Sequence, residues 1–309
     1  MKRNLSFCLV AVLAVRVCGA QTISFDYFGQ SPPGDTAVIF APGVISLPNR
    51  LEAGIAFSPD ASECFFTVWG TKYSSASIFY TKREGNVWSP QVEAPFSVGK
   101  YVMSPSLSAD GNRLYYKYQG HIWMAERKSQ WGNPTILPQP INSSSKDGGY
   151  SETSSGTAYF DSDRPGGQGK ADIWRTRQVA GQPMRAENLG EAVNSPAYDA
   201  GPCVAPDESF VIFSSERAGG HSYSDLYVIF SKGSGVWTTP INIESNGAGI
   251  NIDNKYTAQV NPSISPDGKC LFFARYSFGR GPEAEDIYWI ALDKLIKNAK
   301  LRASSEDLI

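Results

Sequence analysis

Five stretches of this chain repeat one pattern, and an internal repeat narrows the possible folds more than any single motif. Ser58-Pro59-Asp60-Ala61 leads into Glu63-Cys64-Phe65-Phe66, and Ser108-Ala109-Asp110-Gly111 into Arg113-Leu114-Tyr115-Tyr116. Thr153-Ser154-Ser155-Gly156 leads into Thr157-Ala158-Tyr159-Phe160, and Ala205-Pro206-Asp207-Glu208 into Phe210-Val211-Ile212-Phe213. Ser265-Pro266-Asp267-Gly268 leads into Cys270-Leu271-Phe272-Phe273. Counted at Asp60, Asp110, Ser155, Asp207 and Asp267, the spacings are 50, 45, 52 and 60 residues. Each unit then runs through a polar loop to a second strand-like segment, such as Asp172-Ile173-Trp174, Asp225-Leu226-Tyr227 or Asp286-Ile287-Tyr288. A Trp/Pro cluster follows in three units: Trp88 with Pro90, Trp131 with Pro134, Trp237 with Pro240. The third unit offers Gly181-Gln182-Pro183 there instead.

A Pro-Asp-Gly turn suits a tight strand connection, because Pro presets φ and Gly accepts φ above zero. Apolar runs such as Leu271-Phe272-Phe273 exceed strict alternation, as strands buried on both faces do. The reading is an all-β chain: a β-propeller of five blades, each a meander of four antiparallel strands. A string of separate small domains is the rival, but a unit of about 50 residues has too small a core to stand alone. The fifth unit ends at Leu292 and turns helical through Leu295 and Lys297, without a fourth strand. A spare strand, Val38-Ile39-Phe40 then Val44-Ile45, precedes the first repeat. Pairing it with the fifth unit closes the ring and leaves no open edge. The expected propeller domain spans 21–292, with a short C-terminal helical tail at 293–309.

The Ser-Pro-Asp-Gly turns, the Asp-Ile-Tyr strands, the Trp-x-x-Pro clusters and the opening Pro33-Gly34-Asp35…Phe40-Ala41-Pro42-Gly43 together resemble WD40-like, TolB-like β-propeller repeats of exported bacterial proteins. The resemblance covers nearly the whole chain after residue 20. It implies a propeller; TolB-like domains are often called six-bladed, so six blades is the alternative count.

Lys2 and Arg3, the apolar run Leu5–Val15 and the small residues Cys18-Gly19-Ala20 read as a signal peptide at 1–20, cut after Ala20. The chain is then expected to be secreted or periplasmic. No other run is long enough to span a membrane. Formal charge is −2, and loss of Lys2, Arg3 and Arg16 with the leader brings it to about −5. With no basic run or stripe, a nucleic-acid partner is not expected. Cys64, Cys203 and Cys270 remain, an odd number in strand-like surroundings, so buried free thiols are expected.

If the first strand of each blade runs down towards the Pro-Asp-Gly turn, two residue sets share the opposite, upper mouth. One precedes the first strands: Glu52, Tyr101, Tyr150 with Glu152, Tyr198 with Asp199, and Tyr256. The other lies in matching loops, 161–167 and 214–220, which carry Arg164 and Arg217. The ligand-binding candidates are Glu52, Tyr150, Glu152, Tyr198, Asp199, Tyr256, Arg164 and Arg217; their recurrence also fits a role as structural punctuation of the repeat. Asp161-x-Asp163-x-x-Gly166 with Asp172 imitates a calcium loop, but Pro165 interrupts it and the homologous loop opens on Ser214, so no metal is expected. No hydrolase elbow, phosphate loop or zinc motif occurs, so no cofactor is expected and catalytic residues stay unassigned. Two readings stand. One is an exported, monomeric binding module for a protein, peptide or carbohydrate, without catalysis. The alternative is a glycoside hydrolase or lyase using mouth carboxylates such as Glu52, Glu152 and Asp199.

Overall fold

The computed structural model describes residue 25 and residues 27–179, 182–244, 247–278 and 284–306. The expected signal peptide lies outside them. The fold is a five-bladed β-propeller. First strands are Leu51–Phe57, Val102–Leu107, Asp147–Glu152, Asp199–Val204 and Asn254–Ile264. Second strands are Glu63–Trp69, Arg113–Tyr118, Ala158–Ser162, Phe210–Ser215 and Cys270–Ser277. Third strands are Ala76–Glu84, His121–Glu126, Asp172–Thr176, Ser222–Gly233 and Ala284–Ala291. Fourth strands are only two residues long: Val92–Glu93, Thr135–Ile136, Glu187–Asn188 and Ile241–Asn242 in blades one to four.

Blade five takes its fourth strand from the front of the chain. Val38 pairs with Trp289 and Ile39 with Tyr288, antiparallel. The neighbouring Val44-Ile45 adds no strand; it sits in a turn, where Ile45 N–H donates to Ala41 O. The closure is packed as well as hydrogen-bonded. Phe40 is fully buried, with its ring edge-on to Phe272 at 5.0 Å and to Trp289 at 5.1 Å. The Ala291 N–H donates to Gly34 O at 3.1 Å, and Lys294 pairs with Asp35. Chain entry and chain exit therefore meet on one blade. The helix Leu292–Glu306 lays Leu292, Leu295, Ala299 and Ala303 on the core of blades four and five.

The turn chemistry is as the sequence dictates. Ser58, Ser108 and Ser265 hydroxyls donate to the Asp two residues on, at 2.5–2.6 Å. The residue after that turn position has φ above zero in every blade: Ala61, Gly111, Gly156, Glu208 and Gly268. The Trp88 and Trp237 clusters form small hairpins that prolong third strands, Val87–Trp88 and Val236–Trp237. Cys64, Cys203 and Cys270 are buried and unbridged, each in its own blade.

Candidate functional site

All five first strands carry a register shift at the same place, where a residue with φ above zero bulges inward: Gly54, Ser104, Gly149, Gly201 and Asn261. Each stands six residues before its turn position. A bulge with a left-handed residue admits one extra residue and bends the strand. Five together form a waist. Gly149 and Gly201 pack so closely that a Cβ on Gly149 would lie 2.8 Å from Gly201 Cα. Ser104 Oγ reaches within 3.5 Å of Asn261 Oδ1 from a non-adjacent blade. The waist divides the channel into two cups that share these residues as a floor. The lower cup, on the Pro-Asp-Gly side, has about 380 Å³ and is walled by prolines 59, 105, 202, 206, 262 and 266. The upper cup has about 500 Å³ and a wall of aromatic rings with a few charged side chains.

The ring just above the waist comes from second strands, one residue per blade immediately after the two large core residues: Thr67, Lys117, Asp161, Ser214 and Ala274. In blade one this residue holds the next blade's bulge: the Ser104 N–H donates to Thr67 Oγ1 at 3.0 Å. The Asp161 carboxylate does the same for the Gly201 N–H at 3.0 Å. Blades two and three thus place a Lys and an Asp where the other blades place Thr, Ser or Ala. Burial pushes the Asp161 carboxyl up, and the charge of Lys117 opposes the shift. The Ser214 hydroxyl, buried at the same level, has no hydrogen-bond partner within the fold.

Glu285 completes the cup from blade five. Burial pushes its carboxyl to about 8, with Tyr73 and Trp69 pulling the other way and the charges of Glu52 and Asp286 adding to the rise. Such a group is protonated at neutral pH and can donate. Tyr198, Glu216 and Tyr276 line the same wall.

Of the candidates read from sequence, only Tyr198 lines the upper cup, and it is 43% exposed. Asp199 beside it is fully buried and accepts from Ser195 N–H (2.6 Å), Ser215 Oγ (2.6 Å) and Arg217 Nη2 (2.7 Å). Blade three repeats the clasp with Asp147, Ser143, Ser162 and Arg164. Arg164 and Arg217 also lie over rings of their own blades, Phe160 with Trp174 and Phe213 with Tyr227. Blade one builds its version from Glu52, which accepts from Leu47 N–H and from Arg50 Nε at 2.5 Å; burial lifts this carboxyl to about 7. Tyr150 and Glu152 lie not at the upper mouth but in the lower cup. There Glu152 accepts from the hydroxyls of Tyr115 (3.1 Å) and Tyr150 (2.9 Å). The sequence places them above because it does not reveal the bulge, which turns the strand before they are reached. Tyr256 lines neither cup; its carbonyl accepts from Phe278 N–H. Asp172 of the calcium-like loop accepts main-chain N–H groups of Gln168 and Gly169, and among the described residues no three His, Cys, Asp or Glu side chains gather as a metal site.

No family model and no curated protein matches the chain. Solved structures do. The α-L-arabinofuranosidase of Podospora anserina in complex with cellotriose has a TM-score of 0.51 at 12% identity, over 84% of this chain and 98% of that one. An α-L-arabinofuranosidase from Lactobacillus brevis has 0.50 at 12% identity, over 79% and 91%. A protein provisionally named TolB from Agrobacterium tumefaciens has 0.49 at 16% identity, over 74% and 72%. At such identities the arabinofuranosidase likeness shows the five-bladed fold and nothing about activity. Among the described residues no helix is long and apolar enough to cross a membrane.

Proposed function

We propose that this chain is an exported binding propeller that takes a peptide or glycan segment into its upper cup. The observation that carries the reading is the break in repeat symmetry at the cup floor. Five equivalent positions hold Thr67, Lys117, Asp161, Ser214 and Ala274, and the fold itself needs only a small residue or an acceptor there. A buried Asp161 is costly to place, and with the half-buried Lys117 beside it makes sense where a polar ligand will meet them. The clasps around Asp147 and Asp199 are used wholly by the fold, whereas Lys117 and Glu285 border the cavity, as does Asp161 while it also holds the Gly201 N–H.

The test is a thermal-shift screen of the purified chain against glycans and peptides, since a ligand of the folded state raises the melting temperature. Asp161→Asn keeps an acceptor for Gly201 and removes the charge. It should abolish the shift, while Ala109→Trp at the exposed lower rim should leave it intact. The reverse pattern would place the site in the lower cup.

A second reading is favoured by one observation. Glu285, protonated near neutrality, shares the cup with Asp161 and Glu216, and glycoside hydrolysis needs one carboxylic acid and one carboxylate. Release of reducing ends from a polysaccharide, lost in Glu285→Gln, would select it.

A further inference from the structure

The upper rim carries aromatic rings along an arc. In blades one and two Trp69 packs against Tyr73 at 5.3 Å and near Tyr101 at 6.0 Å, with the Tyr101 hydroxyl donating to Tyr73 O at 3.2 Å. In blades five and four Tyr276 meets Phe278 at 5.5 Å, and Phe278 meets Tyr223 at 5.1 Å. Tyr198 stands beyond them in blade four. Tyr101, Tyr198 and Tyr223 are 43–48% exposed, so three large rings stand open to solvent on one rim. Trp69 and Tyr73 adjoin Glu285 of blade five, so the two groups of rings join across the blade closure. Polar floor groups lie inside the arc: Lys117, Asp161 and the unpartnered Ser214 hydroxyl.

We infer that the ligand of this mouth is a neutral oligosaccharide laid along the aromatic arc, with one sugar dipping to the floor set Lys117, Asp161 and Ser214. This rests on the upper cup being the binding site. Three features select the class. Sugars offer C–H faces that stack on rings and hydroxyls that both give and take hydrogen bonds; tyrosine and the mixed floor match both. An extended peptide is commonly held by adding a strand to an open sheet edge, whereas what borders this cup is a wall of side chains inside the ring. An anionic ligand would meet the acids Asp161 and Glu216, and a cationic one would meet Lys117. The neutral form of Glu285 at neutral pH further lowers the gain for a cation.

The experiment is calorimetric titration of the purified chain with xylo-, arabino- and cello-oligosaccharides of one to six residues, alongside a peptide array. One series should bind with affinity rising at least about tenfold from disaccharide to hexasaccharide. Tyr223→Ala should remove most of that gain, and Asp161→Asn should abolish binding. Tyr223 is exposed, so its loss leaves the core intact. No neutral glycan bound by a chain that melts normally, or a monosaccharide bound as tightly as a hexasaccharide, would overturn the inference. A peptide bound instead, with sensitivity to Asp161→Asn, would overturn the sugar assignment and leave the mouth standing. A glycan bound regardless of Asp161→Asn and Tyr223→Ala but lost in Ala109→Trp would overturn both.

Discussion

Ser104 of blade two and Asn261 of blade five come within 3.5 Å of each other, although blade one stands between them in the ring. Side chains of non-adjacent blades meet only where a channel is nearly shut. The five bulges bring this about, and they make the propeller a pair of blind cups.

The waist glycines are therefore unequal. Gly149 has φ of +49°, and a Cβ there would collide with Gly201 Cα and the Asp161 carboxylate. Gly201 has φ of +61° but nothing nearer than 3.8 Å. Gly201→Ala should cost about 1–2 kcal/mol, the strain of a left-handed residue. Gly149→Ala should cost at least about 3 kcal/mol, since overpacking adds to that strain. Urea unfolding of the two variants measures the difference, and an equal or reversed ranking would contradict the packing described.

Adjacent residues split between fold and surface at Tyr198 and Asp199. Asp199→Ala strands Arg217 in the clasp and should destabilise by about 3–5 kcal/mol. Tyr198→Ala removes an exposed ring and should stay within about 0.5 kcal/mol. Thermal or urea melts of the single variants decide this, and a tolerant Asp199→Ala would remove the clasp as a structural device.

Ring closure depends on Phe40. Its truncation to Ala empties a site among Phe57, Phe272 and Trp289 and should cost about 3–5 kcal/mol. Loosening the strand at Val38–Ile39 also bares the edge of blade five, so light scattering should rise with protein concentration. A monodisperse Phe40→Ala variant of unchanged stability would argue against closure by this strand.

The carboxyl of Glu285 gives a pH signature. Its value is about 8 in the fold against an ordinary 4.5, so between those limits the folded chain keeps a proton that the unfolded chain has released. The stabilisation is full below about 4.5 and is lost as pH rises through about 8, by roughly 1 kcal/mol per pH unit. Glu52, raised to about 7 by burial, acts in the same sense. Unfolding free energies measured from pH 5 to 8 should fall less steeply for Glu285→Gln than for the parent. Parallel slopes would mean that Glu285 ionises normally.

The architecture was open to reading because a propeller blade writes its turns and strands locally: Asp60, Asp110, Asp207 and Asp267 sit in turns, and Phe66, Tyr116 and Phe213 in buried second strands. Closure by Val38–Ile39 followed from one missing strand. The waist was equally periodic, since Ser104, Gly201 and Asn261 each precede a Pro, but its meaning is a contact between blades that no single repeat contains. The site was harder. Asp199 and Asp161 are the same residue type in similar surroundings, and only the path of the strand shows that one is clasped and the other borders a cavity. The clearest signal lay in comparing blades for difference as well as likeness: Lys117 and Asp161 stand out only against Thr67, Ser214 and Ala274.

The contact of Gly34 and Asp35 with Ala291 and Lys294 gives the molecule a property usually associated with circles. Entry and exit of the chain lie on the same blade, so the sequence of blades along the polypeptide is one cut through a cyclic order. A cut at the exposed Ala109-Asp110 turn, with the old ends bridged beside Asp35 and Lys294, describes the same ring written from another starting point.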